Sequence, residues 1–483
     1  ALAERLIESM VHNTDPANIQ CCYLIDDSRD AENIALNRRL VSNFQEKSGF
    51  PLVYVGRSEQ NLILNRLIDR LPDSEQQIRF LIDPDRWRSA HSCGCARNFG
   101  LLLSIGNRTV LIDDDVVCKL YQPERFEEGV EISERIREAD FFKTRDACFE
   151  NTTPLNLDPL AEFCRCLGVN FGQALANLGI EGITPEDVKG VSVDYLTKIR
   201  ADSKVMMTAC GTLGDPGASA INWLPSLSEV SRERLLGEEG KFEQAFELRN
   251  LWLGRSKAYF ANHFNMSPMT GMDNRELLPP YFPIFRGEDL VFGCMVDFLY
   301  PASLALDYPW AVPHLPMPER SGYINGDSLK IRSGSAMVAQ CIHNWTREVS
   351  AESVSCRLES LASRINELCD RNEKELLQLH LKLLTERRVA LLFKLDELLK
   401  EDSFNNEKWL SYLNQGLADN YQAIQEQENR LLDLGANAGT GNTEKLAYLC
   451  ELGKDYARSL VAWPEIREQA AEVIGEIFRN KPY

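Results

Sequence analysis

The chain has 483 residues, of which 44% are hydrophobic, and this length predicts roughly two to four domains with sizeable cores. Its 72 acidic and 53 basic residues give a net charge of −19, which argues against a general nucleic-acid binder and against a broad basic lipid-binding face. No apolar run predicts a transmembrane helix, and the N-terminus lacks the pattern of a signal peptide. The 14 cysteines form no CxxC pair, which favours reduced thiols in a cytoplasmic protein.

The first part of the chain alternates helices and strands. Apolar spacing predicts helices over 1–13, 30–47, 59–71 and 97–105, and strands over 21–25, 51–55 and 109–112. This alternation with short turns is typical of a doubly wound, mainly parallel α/β sheet. Ligands of such sheets bind beyond the carboxyl ends of the strands.

The middle of the chain is less regular. The sequence predicts helices near 127–140, 157–179 and 227–252, with a glycine-rich loop at 211–217. Dense prolines predict extended or looped chain over 281–320.

Leucine and charge dominate from residue 334 onward. Their spacing predicts an all-helical C-terminal domain over 334–483, with a long leucine-rich helix followed by helices near 405–432, 444–459 and 464–479. The leucines favour an intramolecular bundle core over a coiled coil, and homo-oligomerisation through these helices is the alternative.

Two of the predicted strands end in acidic clusters. Asp26 and Asp27 follow the first strand, and Asp113, Asp114 and Asp115 follow the third. Neighbouring carboxylates at a strand end can bind one hard divalent cation, which in turn neutralises the charge of a diphosphate. The alternative interpretation is a solvated acidic turn or a helix N-cap.

The surroundings of both clusters resemble the GT-A glycosyltransferases, especially family 2. Ala96-Arg97-Asn98, a small-residue turn, an apolar strand and the acidic triplet follow one another as they do in that family, and Leu24–Ser28 resembles its Val-Asp-Asp-x-Ser strand end. The resemblance implies a Rossmann-like, mainly parallel catalytic domain that binds a nucleotide sugar.

The same resemblance implies roles for these residues. Asp27 would read the uracil of the donor, and Arg97 would lie near its diphosphate or nucleoside; the alternatives are a turn-stabilising acid at Asp26 and a surface helix residue at Arg97. Asp115 would bind the metal most directly. Asp113 would meet the ribose or the metal through water, and Asp114 would face away.

A third motif, Gly287-Glu288-Asp289, resembles the Gly-Glu-Asp motif of inverting family members. It implies that Asp289, beside Glu288, takes the proton of the acceptor nucleophile. The alternative is a helix N-terminus with two acids favoured by the dipole. His314 would be a third metal ligand and would suit Mn²⁺ better than Mg²⁺, with His91 as a weaker candidate.

The resemblance covers roughly 1–130 and 255–320. It implies a catalytic domain over 1–333, divided into a nucleotide-sugar half (1–130), an insertion on the acceptor side (131–280), and a base and closing region (281–333). Two departures stand out. The strand that opens the family fold has no counterpart before the first helix, and about 170 residues separate the acidic triplet from Gly287.

The expected function is inverting, Mn²⁺- or Mg²⁺-dependent transfer of a sugar from a nucleotide diphosphate, with a UDP-sugar as the favoured donor. The acceptor is unidentified, and glycans, peptides and lipid-linked molecules all fit. Two alternatives stay open: a sugar nucleotidyltransferase, and a catalytically idle sheet domain with a helical interaction domain.

Overall fold

The computed structural model describes residues 1–88, 92–133, 137–261, 268–323, 328–332, 334–349, 353–401, 406–428, 431 and 441–478. Its helices and strands form a mixed α/β fold with a helical C-terminal region, as the sequence predicts. No described helix combines the length and the apolar character needed to cross a membrane.

Within its described residues, the first part contains five α-helices and three strands. They are α1 (Leu2–Asn13), β1 (Cys22–Ile25), α2 (Ala31–Ser48), β2 (Leu52–Val55), α3 (Arg57–Arg70), α4 (Glu75–Ile82), α5 (Cys93–Leu103) and β3 (Arg108–Ile112). All but α4 lie where the sequence predicts them. Local signals explain this, since Asp30 caps α2 by accepting from the backbone N–H groups of Glu32 and Asn33.

The middle part supplies most of the strands. They are β4 (Tyr121–Pro123), β5 (Val130–Ile132), β6 (Glu138–Phe141), β7 (Thr152–Pro154), β8 (Val205–Gly214), β9 (Leu251–Gly254), β10 (Ala258–Ala261), β11 (Met269–Asp273) and β12 (Leu304–His314). The helices between them are α6 (Arg145–Glu150), α7 (Pro159–Arg165), α8 (Phe171–Asn177), α9 (Val193–Leu196), α10 (Glu229–Leu236), α11 (Lys241–Glu247) and α12 (Glu288–Leu299).

The central sheet is mixed, which corrects the prediction of a mainly parallel sheet. Its main path runs β3-β11-β8-β12-β10-β5, while β4 with β7 and β9 with β6 pair at its sides. Among the described residues most neighbours are antiparallel, and only the β8–β12 and β10–β5 pairs in this sheet are parallel. The difference arises because β4 and β10 run antiparallel to β12, and β11 runs antiparallel to both β3 and β8.

Strands β1 and β2 form a separate parallel pair, with Cys22 opposite Leu52. No backbone hydrogen bond joins β1 to β3 in the described part of the chain. The space between them is open and continues into the large cavity described below, with α1 residues such as Leu6 and Ile7 along its side.

Two local predictions for the middle part are wrong. The stretch predicted as a charged helix near 127–140 contains β5 and β6 instead, and its residues 134–136 lie outside the described chain. The glycines at 211 and 214 belong to β8, where a Cβ on Gly211 would lie 2.7 Å from the carbonyl oxygen of Leu253 in β9. The proline-dense segment is mostly extended or looped, as predicted, but it also contains the buried helix α12.

The C-terminal region consists of α13 (Ser335–Thr346), α14 (Val354–Cys369), α15 (Glu373–Lys400), α16 (Glu407–Gln425) and α17 (Asn442–Phe478). Helix α17 is continuous through Pro464, where the sequence predicts two helices. It packs on α3, α4 and α5, and Trp463 donates to the backbone carbonyl of Leu278 at 2.7 Å. The largest core cluster therefore joins the helical region to the N-terminal part.

Candidate active site

One large cavity of about 2380 Å³ lies at the carboxyl ends of β1 and β3. Of the residues singled out from the sequence, nine line it: Asp26, Asp27, Arg97, Asp113, Asp114, Asp115, Glu288, Asp289 and His314. The fold thus brings together side chains that are up to 288 positions apart in the sequence.

Asp115 and His314 form the tightest contact between two predicted metal ligands. The chain after β3 runs beside the end of β12, because Val116 bridges His314 and the N–H of Leu315 donates to the carbonyl of Asp115 at 2.8 Å. As a result, Nε2 of His314 lies 2.9 Å from Oδ1 of Asp115, and both side chains are buried.

The imidazole of His314 is fixed on its other side as well. Its Nδ1 lies 2.7 Å from the backbone carbonyl of Asp215, and since a carbonyl oxygen only accepts, Nδ1 must donate. Nε2 of a neutral ring would then point its lone pair at a carboxylate. A proton or a cation between Nε2 and Asp115 removes that repulsion.

The ionisation of this pair follows from the contact. Burial lowers the pKa of His314, but the hydrogen bond to Asp115 and the charge of that carboxylate outweigh it, so the pKa is raised. Burial raises the pKa of Asp115, but the His314 contact and Arg320 outweigh it, so the pKa is lowered. The two atoms bind a proton strongly, and such a pair also suits a divalent cation.

Arg97 joins the predicted metal side to the predicted base. Its guanidinium lies 2.7 Å from Glu288, pairs directly with Asp289, and lies 3.7 Å from Asp113. The guanidinium carbon also lies 5.6 Å from the ring centre of Tyr281. Arg97 is therefore engaged with three carboxylates rather than exposed on a helix surface.

The two carboxylates on either side of Arg97 are hard to ionise. Desolvation raises the pKa of Asp113 to about 6, although Arg97 acts in the opposite direction. Desolvation likewise raises the pKa of Asp289, and Arg97 again opposes it. Asp113 is 49% exposed at its side chain, and the exposed part faces the cavity. A raised pKa suits a carboxylate that accepts a proton.

Asp26 and Asp27 have different surroundings. Asp26 is buried and accepts from the Tyr54 hydroxyl at 2.8 Å and from the Ser28 N–H at 2.9 Å, which is the arrangement of a turn-stabilising acid. Asp27 accepts from the Ser92 hydroxyl at 2.8 Å and keeps 38% of its side chain exposed. Of the two, Asp27 has the carboxylate that is accessible to a ligand.

The metal predicted from the sequence finds a partial ligand set. No group of three His, Cys, Asp or Glu side chains with the geometry of a metal site occurs among the described residues. Asp115 and His314 fit two positions around one ion, and Asp113 lies at the same end of β3. Phosphate oxygens and water commonly fill the other positions around Mg²⁺ in nucleotide sites. His91 lies outside the described residues.

The structure adds residues that no motif indicated. Arg249 binds the carboxylate of Asp215 through two nitrogens at 2.6 and 2.8 Å and lies over the ring of Tyr323. Arg320 lies 3.6 Å from both Asp115 and Asp215. Asp114, expected to face away, also lines the cavity. The glycine-rich segment around Asp215 was the only sequence signal for this group.

Comparison of the chain with protein-family models, with curated proteins and with solved structures returned no significant match.

Proposed function

We propose that the protein is a metal-dependent, inverting glycosyltransferase that uses a nucleotide-diphosphate sugar, with UDP as the favoured nucleotide. One observation carries the proposal: the acidic strand end, His314 and the Glu288–Asp289 pair line one cavity, and Arg97 contacts both the strand end, at Asp113, and the Glu288–Asp289 pair. The residues come from three separate parts of the sequence, and their chemistry fits the two halves of a sugar transfer.

In this mechanism Asp289 accepts the proton of the acceptor hydroxyl as its oxygen attacks the anomeric carbon. Arg97 holds Asp289 in place and opposes the rise in the pKa of Asp289, which keeps part of this carboxylate ionised. Asp115 and His314 would hold Mn²⁺ or Mg²⁺, which when bound offsets the charge of the departing diphosphate. Asp27 would accept from the ring N–H of uracil, a donor that distinguishes uracil from bases lacking it.

The test is a panel of nucleotide sugars, assayed with Mn²⁺ or Mg²⁺ for release of the nucleoside diphosphate. We expect one UDP-sugar to release UDP in a metal-dependent way, and UDP with metal to raise the melting temperature. Release of pyrophosphate would instead indicate a nucleotidyltransferase. If calorimetry detects no binding of UDP in the presence of metal, the alternative of a catalytically idle sheet domain would be favoured.

A further inference from the structure

At the end of the cavity where α13 begins, three arginines form no ion pair with the described residues. Arg286, Arg332 and Arg387 all line it, and none of them forms an ion pair or a side-chain hydrogen bond with the described residues. Five other arginines that line the cavity lie within 3.6 Å of a carboxylate oxygen: Arg97, Arg137, Arg249, Arg275 and Arg320. Arg108, at the opposite end of β3, also lines the cavity and forms no ion pair with the described residues. The three arginines therefore make one end of the cavity locally positive in a chain that has 72 acidic and 53 basic residues.

The three arginines come from separate elements that meet at the start of α13. Gly287, next to Arg286, has no room for a Cβ because the Ser335 hydroxyl lies against it. On the other side, Arg388 of α15 donates to the carbonyl of Ile331 at 3.3 Å. This contact joins α15 to the segment before α13, and the adjacent residues Arg387 and Arg332 both line the cavity.

The N-terminus of α13 opens at the same place. Gly334, Ser335 and Ala336 line the cavity, and the N-cap Gly334 has no side chain to satisfy the first N–H groups of this 12-residue helix. Free N–H groups and the helix dipole favour an anion there. Desolvation lowers the pKa of Arg387, as expected for a half-buried cation that lacks a counter-ion.

We propose that the surface formed by Arg286, Arg332, Arg387 and the first turn of α13 binds a phosphate or carboxylate group of the acceptor. The acceptor role rests on the proposed function. Arg286 precedes Asp289 by three residues, so an acceptor anchored by its anionic group would present a hydroxyl to that base. The hydroxyl proton passes to Asp289, the oxygen bonds to the anomeric carbon, and the bond to the diphosphate breaks.

The test uses inorganic phosphate as the probe and calorimetry on the full chain. We expect wild type to bind phosphate with saturating UDP and Mg²⁺ present, and the Arg332→Gln/Arg387→Gln variant to bind it at least about tenfold more weakly, since two charge-assisted hydrogen-bond donors are lost. Arg286→Gln, on an exposed side chain, should weaken it separately. Arg108→Gln is the matched control, because Arg108 lines the same cavity without a partner at the opposite end of β3.

Phosphate binding that survives Arg332→Gln/Arg387→Gln and Arg286→Gln would overturn the site. So would phosphate that UDP displaces, because the anion would then occupy the donor position. The proposed function fails in a different way. A chain that binds phosphate through these arginines but binds no UDP overturns the acceptor role, whereas UDP binding without arginine-dependent phosphate binding overturns only the anion site.

Discussion

Buried carboxylates have different surroundings in the cavity and at the far end of helix α12. In the cavity, Glu288 and Asp289 contact Arg97, and Asp115 contacts His314. Eight residues further along α12, Asp297 is 2% exposed and its Oδ1 accepts no hydrogen bond from the described residues. Desolvation raises the pKa of Asp297 to about 7. The contrast is between acids that an arginine or an imidazole stabilises and an acid whose burial destabilises the folded state.

The strongest test of the partnered side is Asp289→Asn. Asparagine keeps the size of the side chain and an acceptor for Arg97, but it cannot take a proton. We expect transfer to fall by about 10²–10⁴-fold, with UDP binding retained. The measurements are UDP release with the donor found in the panel and calorimetry with UDP. Asp73→Asn, at an exposed acid away from the cavity, is the control. Undiminished transfer would remove Asp289 from the role of base.

His314→Ala removes the cationic or metal-bound partner of Asp115. We expect the Mn²⁺ dependence of UDP binding to shift to metal concentrations at least about tenfold higher, because one ligand and its fixed orientation are lost. Titration of Mn²⁺ at constant UDP measures this shift. His12→Ala, on the exposed side of α1, should leave the titration unchanged. An unaltered titration in His314→Ala would show that Asp115 needs no partner from β12.

Arg97→Gln weakens the partner of Asp289 without touching the base itself. Arg97 opposes the raised pKa of Asp289, so its loss should raise that pKa further. A base is inactive once protonated, so activity is lost as the pH falls through its pKa, and the acid limb of the kcat/KM profile should move to higher pH. Arg66→Gln, an exposed arginine on α3, is the control. A limb that stays in place would separate Arg97 from the ionisation of Asp289.

Much of the candidate site was predictable because its signals are local. Asp27 and Asp115 each follow an apolar strand, and both strand ends open onto the cavity although β1 and β3 belong to separate sheets. The Arg97 contacts were not predictable, since Glu288 lies 191 residues away and is brought to Arg97 by the segment before α12, where the N–H of Cys95 in α5 donates to the carbonyl of Pro283. The Asp215–Arg249 pair likewise forms between β8 and the segment before β9, with no motif to mark it.

Elements with a clear periodicity of apolar residues were predictable from the sequence. Glycine and proline were less informative, because each occurs both at the ends of regular elements and within them. Gly211 resembles a loop glycine, yet it serves close packing of β8 against β9. Pro464 resembles a helix end, yet α17 continues through it because Trp463 and Ile466 are buried against the N-terminal part. Tertiary packing therefore decided both cases against local propensity.

Asp297→Asn tests the buried acid at the far end of α12, whose Oδ1 accepts no hydrogen bond from the described residues. The folded-state pKa of about 7 lies above the ordinary value of 3.8, so the folded chain holds a proton that the unfolded chain releases between these values. The penalty is therefore absent at low pH, grows as the pH rises, and is complete above pH 7. Asparagine carries no charge, so the variant should be more stable than wild type at pH 8, by an amount on the order of 1–4 kcal/mol.

The measurement is urea unfolding of Asp297→Asn and wild type across this pH range, with Asp73→Asn as the exposed-acid control. The stability difference should shrink toward pH 4, and sugar transfer should stay unchanged at neutral pH, because Asp297 lies at the core end of α12. A difference that does not vary with pH would mean that Asp297 is ionised and held by a cation in the fold. Acids at both ends of α12 would then be stabilised by a cation.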